Sequence, residues 1–92
     1  MKTRVEQYDS VSADARETFV RKNKDYGDSF ATYGPVGVII RLGDKIQRLA
    51  SVTKSGVTLV ETEKIDETLL DLANYAKMAI ILLRENNGSV PE

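Results

Sequence analysis

From Glu63 to Asn86 apolar residues recur at helical spacing on two faces at once, which constrains the fold more than any other stretch. Ile65, Leu69, Leu72, Ala73, Ala76, Ile80 and Leu83 make one broad face, the expected core face of a helix. Across the helix, Glu67, Asp71 and Asn74 stand at i, i+4 and i+7, and the same stripe continues into Met78, Ile81 and Leu82. A small helical domain cannot easily cover both faces, so a second subunit is expected over the second one. A polar patch running into an apolar one is also the pattern of a ligand site at a subunit interface.

The chain has 92 residues, enough for one domain with a modest core, and oligomerisation is a natural source of further stability. Thirteen basic residues against fourteen acidic give a net charge of −1. That balance argues against general nucleic-acid binding and against docking on an anionic membrane, so any anion site must be local. With no cysteine there is no disulfide, thiolate nucleophile or cysteine metal site. With no histidine the commonest general base and zinc ligand are missing too, leaving carboxylates, lysines and tyrosines for any chemistry. No apolar run reaches membrane-spanning length and no signal-like segment opens the chain, so a cytoplasmic protein is expected.

Residues 1–11 lack sustained periodicity and read as a loose lead-in to a single helical domain over 12–86. Ser12, with Asp14 in the following turn, predicts the start of a first helix over 12–24, with Ala15, Phe19 and Val20 as its apolar stripe. A turn-rich connector follows from Asp25 to Gly34. Pro35 suits the first turn of a second helix, which should run to Lys54 with Gly56 as its stop. Val57 to Val60 reads as an extended link, Thr62 as the cap of a third helix over 63–86, and 87–92 as a flexible tail. The expected fold is all-α: three main helices in a small bundle completed by oligomerisation.

On the second helix Ile39, Leu42, Ile46, Leu49 and Thr53 should face inward. Arg41, Asp44 and Arg48 share another arc, with Lys45 at its edge. Three cations on one face suit phosphate oxygens, although the same residues could simply pair with acids on a wet surface. Gly43 lies inside this helix, where glycine is unfavourable by roughly 1 kcal/mol and commonly marks a close approach. In the connector, Asp25-Tyr26-Gly27-Asp28-Ser29-Phe30 is flanked by Lys22 and Lys24. Tyr26 there can stack on a base while the lysines and Ser29 meet phosphate, or Tyr26 and Phe30 can plug the end of the core. Glu67, Asp71 and Asn74 opposite Asp44 would form an oxygen-rich Mg²⁺ site, or else salt-bridge to the cations of the second helix.

Three runs, KNKDYGDSF (Lys22 to Phe30), RLGDKIQRL (Arg41 to Leu49) and IDETLLDLANYAKMAI (Ile65 to Ile80), resemble the small phage and bacterial family called nucleotide modification associated domain, type one. The resemblance implies a place in phage nucleotide metabolism and a distant similarity to MazG-like all-α pyrophosphatases, which bind Mg²⁺ through EExxE and ExxD motifs. This chain departs from those motifs: Asp44 stands alone among cations, and Glu67 and Asp71 are one position wider than ExxD, with Thr68 in the register where Glu would stand. The departure favours binding over hydrolysis. The site expected on this basis uses Lys22, Lys24, Arg41, Lys45 and Arg48 as cations and Tyr26 or Tyr75 for stacking. Asp25, Ser29, Asp44, Asp71 and Asn74 would make polar contacts. By analogy with small helical phage proteins, the ligand is a nucleotide or a cyclic-nucleotide or ADP-ribose-type signal, sequestered without a cofactor in the host cytoplasm to counter immune signalling. The alternatives are an Mg²⁺-dependent phosphohydrolase with Asp44, Glu67 and Asp71 as metal candidates, and a purely structural helical oligomer.

Overall fold

A computed structural model describes residues 1–54 and 59–89. The order of elements is α1 (Arg4–Tyr26), a 3-10 turn (Gly27–Ala31), α2 (Gly34–Lys54) and α3 (Leu59–Ser89), with no strand among the described residues. The expected all-α fold of three main helices is what the chain adopts.

The first helix begins well before Ser12. Thr3 and Glu6 close a reciprocal cap: Thr3 Oγ1 accepts from the Glu6 amide at 3.1 Å, and Glu6 Oε1 accepts from the Thr3 amide at 2.9 Å. Two amides that would otherwise be orphaned are satisfied, so a helix nucleates at Arg4 without an apolar stripe to announce it. The segment read as a loose lead-in is therefore helical from Arg4, and Ser12 lies within α1 rather than capping it.

The second helix matches its expected span. The third starts earlier than expected: Leu59 and Val60, read as part of an extended link, belong to α3, and Thr62 is inside it. Residues 87–89, read as tail, are helical, while Gly56, 57–58 and 90–92 lie outside the described residues.

The core is small and sits between α2 and α3. Val38, Ala79 and Leu82 are buried together, with Phe30, Ala31, Tyr75 and Met78 packed against them. α2 turns Val38, Leu42, Lys45 and Leu49 inward, while Ile39 and Ile46, expected inside, are more than half exposed. α3 is likewise reversed. Its expected core face is largely open, with Leu69 51%, Ile80 46% and Leu83 47% exposed, and the stripe through Asp71, Asn74, Met78 and Leu82 faces in. Of the apolar residues expected to need a second subunit, Met78 and Leu82 are covered by the chain itself, whereas Ile81 is exposed.

The polar groups on the inward face are satisfied. Asn74, only 5% exposed, donates from Nδ2 to the carbonyl of Ala15 at 2.9 Å, tying α3 to the buried alanine of α1. A buried amide with its partner in place is compatible with a core position. Asp71, beside it, is met by two lysines. The polar members of this stripe are thus matched to the helices that cover them.

Candidate functional site

The site forms where α1 ends. Gly27 adopts φ +56°, a conformation that side chains with a Cβ rarely reach, and its amide donates to the carbonyl of Asn23 to close the helix. The chain turns at once into the 3-10 segment, where Thr32 donates from Oγ1 (2.7 Å) and from its amide (3.2 Å) to the carbonyl of Ser29. Gly34, at φ +69°, then launches α2. This double turn folds Phe30 back over α1, where its ring meets Phe19 edge to face at 6.4 Å between centroids and 70° between planes.

Beneath that pair lies a cavity of about 350 Å³, lined from α1 by Phe19, Lys22, Asn23 and Tyr26, from the turn by Gly27, Ser29 and Phe30, from α2 by Arg41 and from α3 by Tyr75 and Met78. The volume falls at the small end of ligand pockets. Of the residues expected to bind a ligand, Lys22, Tyr26, Ser29, Arg41 and Tyr75 converge here. Lys45 and Asp71 stand at its edge: Asp71 Oδ1 pairs with Lys22 Nζ at 2.8 Å and Oδ2 with Lys45 Nζ at 3.6 Å, while Lys45 Nζ lies 5.8 Å from the centre of the Tyr75 ring. Asp71 thus fixes two cations around the cavity, and the Tyr75 ring holds one of them further.

Arg41 has no ion-pair partner among the described residues. Three cations face one carboxylate around this space, so the local field favours an anion although the whole chain is slightly acidic. Four aromatic rings line the same volume, and the guanidinium offers a planar fork of donors.

The remaining expected residues are elsewhere. Lys24, Asp25, Asp44 and Arg48 are exposed and do not line the cavity. Arg48 shares the arc of Arg41 but lies about 10 Å further along the helix axis. Asn74 spends its amide donor on Ala15. The metal candidates Asp44, Glu67 and Asp71 do not converge: no group of three or more acidic side chains suited to a metal occurs among the described residues. Phe19, Asn23, Gly27, Phe30 and Met78 were not expected at the site. Their signal is spacing: Phe19, Asn23 and Tyr26 follow i, i+4, i+7 along α1, and Tyr75 and Met78 follow i, i+3 along α3.

The sequence pattern of the family described as Nucleotide modification associated domain 1 matches residues 22–83, two thirds of the chain. The chain belongs to that family. The matched span starts at Lys22 and takes in every cavity residue except Phe19. The first part of α1 lies outside the family match. No curated protein and no solved structure matches the chain significantly. No described helix is long and apolar enough to cross a membrane.

Proposed function

We propose that the chain binds a nucleotide or a nucleotide-derived phosphate ligand in this cavity and holds it without turnover. The observation that carries the reading is the placing of Lys22 and Arg41 beside the rings of Tyr26 and Tyr75 around one open cavity. An aromatic ring accepts the face of any base, and a guanidinium and an ammonium meet phosphate oxygens. Arg41, unpaired among the described residues, is the donor most available to a phosphate. Tyr26 and Tyr75 come from different helices, so a base could sit between rings that the fold already separates. Membership of a family associated with nucleotide modification is in keeping with such a ligand.

Holding rather than converting the ligand is supported by the state of Asp71. Both of its carboxylate oxygens face lysine ammonium groups, and a divalent cation would have to displace them. Retention of a phosphorylated signal by a small helical phage-type protein would act by sequestration, which is the role we assign.

The test uses the purified chain and a panel of nucleoside mono-, di- and triphosphates and cyclic dinucleotides, with and without Mg²⁺. After removal of free ligand the protein is heat-denatured and the supernatant analysed. Intact ligand released only on denaturation is the expected result. Converted ligand would establish a phosphohydrolase, and no retention from any member of the panel would remove the proposal.

A further inference from the structure

The side of the α2–α3 hairpin opposite the cavity is apolar and uncovered. On α2, Val38 faces α3 and Arg41 turns toward α1 and the cavity. At about 100° per residue, Val36, Ile39, Gly43 and Ile46 lie on the arc opposite Arg41. On α3, Asn74 and Asp71 face α1. Leu69, Ala76 and Ile80 lie roughly 200–240° round from Asn74 by the same count. Both stripes therefore emerge on the side of the hairpin that α1 leaves bare. All of these residues are exposed: Val36 65%, Ile39 52%, Ile46 56%, Leu69 51% and Ile80 46%. None of them carries a charge.

Gly43 sharpens the point. Glycine inside a helix is unfavourable, and its usual compensation is a backbone that comes close. Here, among the described residues, nothing outside its own helix backbone lies within 4 Å of where its Cβ would stand, so they supply no such neighbour. The glycine sits between Ile39 and Ile46 on the bare stripe, which is where another helix could cross with its backbone close and its side chains on either side.

The exposed area of the whole chain, to which the projecting arm of α1 contributes as well (Val5 69%, Tyr8 72%, Val11 56%), leaves room for an interface on this face. The chain exposes 7390 Å², about 2,100 Å² more than the roughly 5,300 Å² expected of a folded monomer of its mass. An obligate interface buries roughly 1,000–2,500 Å² per partner. The radius of gyration, 15.4 Å, also exceeds the roughly 12 Å expected of a compact domain of this length.

We infer that a second copy of this chain covers this face, hairpin against hairpin about a two-fold axis, with the two α2 helices crossing at Gly43. Ile39 and Ile46 are nearly symmetric about Gly43 in sequence, as an isologous contact requires: antiparallel crossing sets Ile39 against the partner's Ile46. The two cavities then open on the outer sides of a four-helix layer, independent of each other and of the interface.

Sedimentation equilibrium on the wild type, Gly43→Gln, Ile46→Glu and the double variant Val5→Glu/Tyr8→Glu tests this, with helix content followed by circular dichroism. The wild type should be a dimer at micromolar concentration. Gly43→Gln should raise the dissociation constant at least a hundredfold with helix content unchanged, because the new side chain meets nothing within its own chain. Ile46→Glu should do the same, and Val5→Glu/Tyr8→Glu, on the far arm of α1, should leave the dimer intact. A monomeric wild type overturns the inference. So does an oligomer that survives Gly43→Gln, whatever Ile46→Glu does to folding, or one that only the α1 variant dissociates.

Discussion

The α2–α3 hairpin has a covered side and a bare side, and the covered side is the more polar of the two. Beneath α1 and the 3-10 turn, Asn74, Asp71 and Lys45 are interleaved with Val38, Met78 and Leu82. On the bare side Leu69, Ala76 and Ile80 of α3 run beside Ile39, Gly43 and Ile46 of α2 with no polar group among them. Apolarity alone therefore did not select the face that the chain buries within itself. The mixed face is tolerated inside because each of these polar groups has a partner: the amide of Asn74 has the Ala15 carbonyl, and the carboxylate of Asp71 has two ammonium groups. The same partners that make a mixed face tolerable in a core also place charge around the cavity. The purely apolar face needs no such matching, and on our account it is the one a second copy covers.

The largest contrast between the sides should appear in stability. Leu82→Ala empties a buried position against Val38 and should lower the unfolding free energy by about 2–5 kcal/mol in urea titrations. Leu69→Ala, across the same helix, should change it by no more than about 0.5 kcal/mol once self-association is removed by Gly43→Gln. Equal losses at the two positions would mean that the sides are not distinct.

Within the covered side, ligand and fold can be separated. Arg41→Ala should weaken nucleotide binding by one to two orders of magnitude in titration calorimetry, since a hydrogen bond to a charged group contributes roughly 1.5–3 kcal/mol. Arg48→Ala, on the same arc but away from the cavity, should leave affinity unchanged. Asn74→Ala removes the tie between α3 and α1 and should cost about 1–3 kcal/mol of stability.

The smallest effect belongs to the far end of α1. The Thr3 amide, and then its hydroxyl, hold the Glu6 carboxyl below its usual pKa of 4.5. A carboxyl depressed in the folded state stabilises it above the unfolded pKa, and that contribution is lost as pH falls through the folded value. The protection of the Thr3, Glu6 and Gln7 amides, taken relative to their intrinsic exchange rates, should therefore fall on acidification below 4.5, and Glu6→Ala should remove the protection of the Thr3 amide at neutral pH as well.

Much of this was legible in the sequence, and what was not has physical reasons. Helical periodicity and Pro35 gave the fold class and the span of α2. The start of α1 is written in the Thr3 and Glu6 pair, which periodicity alone does not reveal. On α3 the two faces were visible, but period identifies faces without saying which neighbour covers each. The choice rests on Asn74 meeting Ala15, a contact between residues 59 positions apart that no local pattern encodes. At the site, Lys22, Tyr26, Ser29, Arg41 and Tyr75 were readable as chemistry. Phe19 and Met78 were hidden because apolar residues on a helix read as core. Asp44 and Arg48 do not line the cavity, because a shared arc brings side chains to one side of a helix without bringing them to one place along it.

Amide chemical-shift mapping by NMR during titration with a nucleoside diphosphate tests the central claim most directly. The account predicts perturbations concentrated at Lys22, from Tyr26 to Phe30, at Arg41 and at Tyr75, with Asp44, Arg48 and Glu67 unmoved. Perturbations centred on Asp44, Arg48 and Glu67, or none at saturating ligand, would contradict it.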